Sequence, residues 1–155
     1  MKVLLLEGIH PLAKTALEAA GYEVQLEAKA LGEAELVHAI RGVHALGIRS
    51  KTRVTPAVLD AADELLVVGA FCIGTNQIAL DAAHLRGVPV FNAPYSNTRS
   101  VAELILAELI ALSRKLAHVS AKVHRGEWPK SAKGAREVRG KTLGSQLLAA
   151  VARKE

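Results

Sequence analysis

The chain reads as an α/β protein: a flavodoxin-like, doubly wound parallel sheet of five strands in the order 2-1-3-4-5, followed by a long C-terminal connector helix. Two observations predict the sheet. Apolar runs of about four to six residues alternate with helical patterns of about eight to eleven, as in successive βα units. The runs are nearly unbroken Val, Leu and Ile, the composition of strands covered on both faces. The helix is predicted by a single apolar periodicity from Val101 to about His124.

Lys2 to Leu6 is the first strand, and it ends at Glu7-Gly8. His10-Pro11 opens a helix that closes at Gly21, with proline just inside the start and glycine just past the end. Val24 to Leu26 is the second strand, and Glu33 to Ile40 a helix stopped near Gly42. Ala45 to Ile48 is the third strand, followed by the cationic, hydroxylic loop Arg49-Ser50-Lys51-Thr52-Arg53. Thr55-Pro56 supplies an N-cap and a proline at the first helical position. Leu65 to Gly69 is the fourth strand, Ile78 to Arg86 a helix closed by Gly87, and Val88 to Phe91 the fifth strand.

Ser100 and Glu103 have the spacing of a capping box ahead of the long helix. Leu104, Ile105, Leu109, Leu112, Leu116, Val119 and Val123 form its apolar stripe, which Leu106 and Ile110 widen, so protein is expected on more than one side of it. The chain therefore divides into a sheet domain at 1–100, a connector helix at 101–125 and a basic segment at 126–155. In that segment Gly126 to Gly134 is a linker, Arg136 to Gly144 is expected to hold a hairpin-like pair, and Ser145 to Arg153 a short helix.

Composition limits the function classes. Half of the 155 residues are apolar, which excludes a disordered chain. Apolar stretches fall short of the roughly 20 residues of a membrane span, and Glu7 breaks the first run too early for a secretory signal. Cys72 stands alone and forms no internal disulfide, in keeping with a reducing cytoplasm. The net charge of +5 is unevenly placed: through Ala121 there are 11 Lys/Arg against 12 Asp/Glu, and from Lys122 onward 9 against 3. Those nine cations carry no aromatic interleaving and no nucleic-acid motif, so they read as a solvated surface rather than a nucleic-acid site.

In a doubly wound sheet, ligands sit at the carboxyl ends of the strands. Glu7-Gly8, Arg49-Ser50-Lys51, Cys72 to Asn76 and Asn92 to Asn97 converge there. Arg49 and Lys51 bring charge, and Ser50, Thr75, Asn76, Ser96 and Asn97 bring neutral donors, so the expected guest is a small anion; solvated loop ends are the plainer alternative. A phosphoacceptor receiver needs an Asp where Arg49 stands. Gly69 and Gly74 have P-loop spacing, but Thr75-Asn76 replaces the Lys and the hydroxyl residue. No Gly-x-Gly-x-x-Gly occurs, and the six histidines lack metal-ligand spacing.

Three stretches together carry a family resemblance: Leu46 to Thr52, Gly69-Ala70-Phe71-Cys72-Ile73-Gly74-Thr75-Asn76-Gln77, and Phe91 through Glu103. Lys122 to Trp128 and Arg139-Gly140-Lys141-Thr142-Leu143-Gly144 continue it. From about residue 2 to residue 144 the chain resembles the D-isomer-specific 2-hydroxyacid dehydrogenases, in the branch acting on D-3-phosphoglycerate. The resemblance implies the N-terminal substrate-binding domain, with the helix that crosses into an NAD-binding domain. The intact enzymes oxidise D-3-phosphoglycerate to 3-phosphohydroxypyruvate with NAD, opening serine biosynthesis.

The resemblance also implies site residues. Arg49, Ser50 and Lys51 resemble the loop over the substrate's carboxylate and phosphate, and Asn97 the residue near the reacting centre. Lys29, Arg125 and Lys130 resemble basic residues lining the anion site, some from across a subunit boundary. After Gly144 the family continues into a glycine-rich dinucleotide turn, whereas here Ser145-Gln146-Leu147-Leu148 follows. The family's Arg, Glu and His of hydride transfer have no counterparts. The expectation is thus a truncated substrate domain, inactive alone, with no catalytic residue, metal or cofactor of its own. Half of a complemented enzyme, or a scaffold with a basic tail, are the alternatives. An exposed 101–125 helix further predicts a homo-oligomer.

Overall fold

A computed structural model describes residues 1–144. The chain divides into two compact units, Met1–Ser96 and the part from Asn97 onward. The first is the sheet. Its strands are β1 (Lys2–Leu5), β2 (Glu23–Leu26), β3 (Ala45–Ile48), β4 (Val67–Ala70) and β5 (Val90–Asn92), all parallel in the order β2-β1-β3-β4-β5. Helices α1 (Pro11–Ala19), α2 (Glu33–Ala39), α3 (Pro56–Ala61) and α4 (Leu80–Leu85) make the crossovers.

The register explains the core. Leu4 pairs with Leu46, Leu46 with Val68, and Val68 with Val90, so these side chains share one face. Leu36 and Ile40 from the α2 region, Val58 and Leu59 of α3 and Ala83 of α4 pack onto that face. The opposite face places Val3, Leu5, Ile9 and Val24 against Ala13 and Leu17 of α1. Each fully buried Leu or Ile contributes about 1.5–3 kcal/mol of transfer free energy. The edge strand departs from two-sided burial: Phe91 and Asn92 are exposed.

The local signals act largely as their chemistry dictates. His10 caps α1 by accepting the Leu12 N–H at 3.2 Å. Thr55 caps α3 through its hydroxyl, which accepts from Val58 N–H at 3.4 Å. Gly21, Gly42 and Gly87 take positive φ just past their helices, the C-terminal role only glycine fills without strain. Gly47 is different: a Cβ there would meet Leu5 Cδ2 at 2.5 Å, so its missing side chain leaves room for Leu5 in the sheet face.

The second unit corrects three expectations. The helical run from Val101 to His124 is two helices, α5 (Thr98–Ser113) and α6 (Leu116–His124), separated by Lys115 in the left-handed region at φ 56°. A returning segment meets the break: Arg136 N–H donates to the Ser113 carbonyl at 2.8 Å, and Lys115 Nζ to the Lys133 carbonyl at 3.3 Å. The first of these gives the Ser113 carbonyl, at the end of α5, the partner that continuous helix would have supplied. The Ser100 cap is also replaced. The N-cap is Asn97, which makes no side-chain cap bond, and Ser100 lies inside the first turn. Arg136 to Gly144 contains turns and no strand. The helix expected at Ser145 to Arg153 lies outside the described residues.

Candidate functional site

The carboxyl ends of β1 and β3 are joined through one residue. Glu7 follows β1 with φ 62°, and Gly8 behind it also has φ 62°. This paired left-handed turn aims two backbone donors at the segment after β2: Glu7 N–H donates to the Lys29 carbonyl and Gly8 N–H to the Glu27 carbonyl, each at 3.1 Å. Lys29 is thereby carried to the mouth of β1. The Glu7 side chain turns the other way. Its Oε1 accepts from the N–H groups of Arg49 (3.0 Å) and Thr52 (2.8 Å), and its Oε2 from that of Lys51 (2.9 Å).

A second tie holds the same loop from beyond β4. The buried Gln77 donates its amide to the Arg49 carbonyl at 2.9 Å, and that nitrogen also lies 3.2 Å from the Gly74 carbonyl and 3.3 Å from Cys72 Sγ. Gln77 is itself fixed by its backbone, whose carbonyl accepts Val54 N–H at 2.9 Å. Farther along, Asn92 donates to the Ile73 carbonyl at 2.8 Å, and Ala93 N–H to the Cys72 carbonyl at 3.0 Å. The loops at the strand ends thus form a connected row rather than independent termini.

Between the first two loops lies a cleft of about 660 Å³ lined by Glu7, Ala28, Lys29, Ala30, Arg49, Ser50 and Lys51. Arg49, Ser50, Lys51 and Lys29 are exposed there, while Thr52, at the foot of the loop, is fully buried. Three cationic residues therefore line the same cleft as one carboxylate, which already accepts three backbone N–H groups. Partial burial pushes the Glu7 carboxyl up, but the hydrogen bonds from Thr52, Lys51 and Arg49 outweigh it and hold the group below the ordinary glutamate range. Such a cleft is suited to a small, multiply charged oxyanion.

The structure brings Lys29 together with Arg49, Ser50 and Lys51. Asn97, Arg125 and Lys130 belong to the second unit. There Asn97 starts α5, Arg125 pairs with Glu127 at 3.2 Å, and Lys130 lines a separate cleft with Lys115 and Lys133. Thr75 and Asn76 line a further depression beside Pro56 and Asp81. Cys72 is half-buried, and its thiol donates to the Gly74 carbonyl at 3.2 Å. No group of three metal-ligating side chains occurs among the described residues. The sequence puts Glu7-Gly8 among the converging loops, but a role for Glu7 and Gln77 emerges only from the hydrogen bonds. An acidic residue at the carboxyl end of the first strand, ahead of a glycine, was the available signal.

The profile of the D-isomer specific 2-hydroxyacid dehydrogenase catalytic domain matches residues 3–152. The chain belongs to this family. D-3-phosphoglycerate dehydrogenase from Haemophilus influenzae is 54% identical over 145 residues, which is 93% of this chain and 35% of that protein. D-3-phosphoglycerate dehydrogenase 1 from Saccharomyces cerevisiae is 54% identical over 144 residues, 93% of this chain and 31% of that protein. The chain thus spans about a third of the length of these relatives. Among solved structures, the TT0316 protein from Thermus thermophilus superposes with a TM-score of 0.83 at 29% identity, over 99% of this chain and 52% of that one. D-Lactate dehydrogenase from Aquifex aeolicus, solved with NAD and lactic acid, shares the fold at a TM-score of 0.76.

NAD is the cofactor associated with this 2-hydroxyacid dehydrogenase family, and the first βα turn is where a doubly wound sheet commonly cradles a pyrophosphate. Here the His10 ring in that turn caps α1, and the Glu7 carboxylate leaves the turn for the Arg49–Thr52 loop. The turn reads Glu7-Gly8-Ile9-His10-Pro11, without the Gly-x-Gly-x-x-Gly spacing that lets a backbone approach a pyrophosphate, so these residues do not fit a dinucleotide.

Proposed function

We propose that this chain is the substrate-binding domain of a D-3-phosphoglycerate dehydrogenase, receiving D-3-phosphoglycerate as an anion and performing no hydride transfer alone. The observation that carries this reading is the Arg49-Ser50-Lys51 loop, fixed by Glu7 and opened toward Lys29 across one cleft. A carboxylate and a phosphate at opposite ends of a three-carbon ligand match separated cations better than one does alone. Asn97, Arg125 and Lys130 are proposed to approach the same ligand in the complete enzyme, and the cytoplasm is the proposed compartment. Among the described residues no helix is long and apolar enough to cross a membrane.

Calorimetric titration with D-3-phosphoglycerate tests the reading. Wild type is expected to bind and Arg49→Ala to lose binding; equal heats from both variants contradict it. A dehydrogenase assay with NAD is expected to give no turnover from the chain alone.

A second reading, a half-enzyme that works with a separate NAD-binding chain, is favoured by the apolar exposure of α5 and α6. Leu104 is 58% exposed, Leu112 77% and Leu116 60%, more than isolated surface residues account for. Turnover restored by mixing with a separately produced NAD-binding domain supports it. The same surface is proposed to pair copies of the chain when no other partner covers it, and a concentration-independent monomer mass excludes that. A scaffold with a basic tail predicts strongly salt-dependent nucleic-acid binding instead.

A further inference from the structure

Resting on the anion-binding reading above, we infer that Glu7 is the positioning residue of the site: its carboxylate holds the Arg49–Thr52 loop in the shape that receives the ligand. It accepts three backbone N–H groups 42 to 45 positions away, at 2.8 to 3.0 Å. Its own N–H fixes Lys29 through the Lys29 carbonyl at 3.1 Å. One residue therefore sets the spacing of the cationic segments on both sides of the cleft.

The cost of this arrangement is visible in the backbone. Glu7 sits at φ 62° without being glycine, a conformation that costs about 1–2 kcal/mol for an L-residue and is retained where surrounding contacts over-determine it. The loop has a second anchor, the Gln77 amide on the Arg49 carbonyl at 2.9 Å. Arg49 and Lys51 are therefore held by their main chains, and their side chains remain exposed toward the cleft. A flexible loop pays ordering entropy when ligand arrives; this one is ordered beforehand.

The effect expected of a Glu7 substitution is opposite in sign to simple electrostatics. Replacing Glu7 by glutamine removes a negative charge from the lining of an anion cleft, which by itself strengthens anion binding. A positioning role requires the reverse, because a glutamine amide presents a donor where an N–H needs an acceptor.

The experiment is amide-resolved NMR on the full chain. In wild type, the Arg49, Lys51 and Thr52 amide protons are expected to shift together with pH, with one midpoint below the ordinary glutamate range. In Glu7→Gln that shared step is absent, and D-3-phosphoglycerate binds roughly tenfold more weakly, a loss of about 1.4 kcal/mol. Separate midpoints for the three amides, or binding by the variant as tight as or tighter than wild type, overturn the inference. The wild-type pH titration decides the matter even when Glu7→Gln fails to fold. Wild-type amides that titrate together in a chain binding no D-3-phosphoglycerate leave the hold of Glu7 on the loop intact and overturn the proposed function instead.

Discussion

Glu7 and Thr52, 45 positions apart, meet through a 2.8 Å hydrogen bond from the Thr52 N–H to the Glu7 carboxylate, and the mouth of the sheet is built around that contact. Thr52 is fully buried and Glu7 half-buried, so the bond ties the foot of the Arg49–Lys51 loop to the end of β1. Here a side chain at one strand end holds the backbone of the loop after another.

Acid is expected to weaken the fold through this contact. Glu7 titrates lower in the folded chain than in the unfolded one, so its ionised form favours folding above the unfolded value. That contribution is lost as the pH falls through the lower, folded value. Urea unfolding across this window is expected to show stability falling with pH in wild type and a flatter curve in Glu7→Gln. The variant is about 1–3 kcal/mol less stable near neutrality, the cost of leaving a charged acceptor's partners unpaired.

Gly47→Ala is expected to destabilise the chain by about 1–3 kcal/mol through overpacking. The added methyl meets Leu5, whose side chain is almost fully buried and has little room to yield, and Ile9 and Phe71 stand 3.2 Å away. A drop in the thermal midpoint with an unchanged circular dichroism spectrum is the expected result.

Leu36→Ala removes a fully buried side chain of α2 from the larger core. A loss of about 2–5 kcal/mol is expected from transfer and cavity terms together, measured by chemical unfolding. Thr55→Ala costs less, about 0.5–2 kcal/mol, because it removes one cap from a six-residue helix.

Lys51→Ala and Lys29→Ala are each expected to weaken D-3-phosphoglycerate binding, and more steeply at low salt, since both side chains are exposed and screened. The double variant measures their coupling. Strict additivity is expected if they grip opposite ends of the ligand.

The sheet was legible because periodicity and punctuation agreed: the Val, Leu and Ile runs, Pro11 and Pro56 at helix starts, and Gly21, Gly42 and Gly87 at helix ends each carry a local cause. The expected strand order is the one observed. The break at Lys115 was not legible, because apolar spacing passes through it without interruption; the residues that complete it, Lys133 and Arg136, lie about 20 positions downstream. Ser100 and Glu103 show the limit of a motif, since helix starts earlier at Thr98. Arg49, Ser50, Lys51 and Lys29 were readable as cations and donors at strand ends. Glu7 was readable only as an acidic residue at a strand end, because nothing local shows that one carboxylate will collect N–H groups from a loop more than 40 residues away.

The most direct test of the account is a two-dimensional amide NMR titration of the chain with D-3-phosphoglycerate and then with NAD. The account predicts saturable shifts at Lys29, Arg49, Ser50 and Lys51 with the phosphoglycerate, and none at the β1–α1 turn with NAD. A well-dispersed spectrum in which these four amides stay fixed at saturating D-3-phosphoglycerate contradicts it.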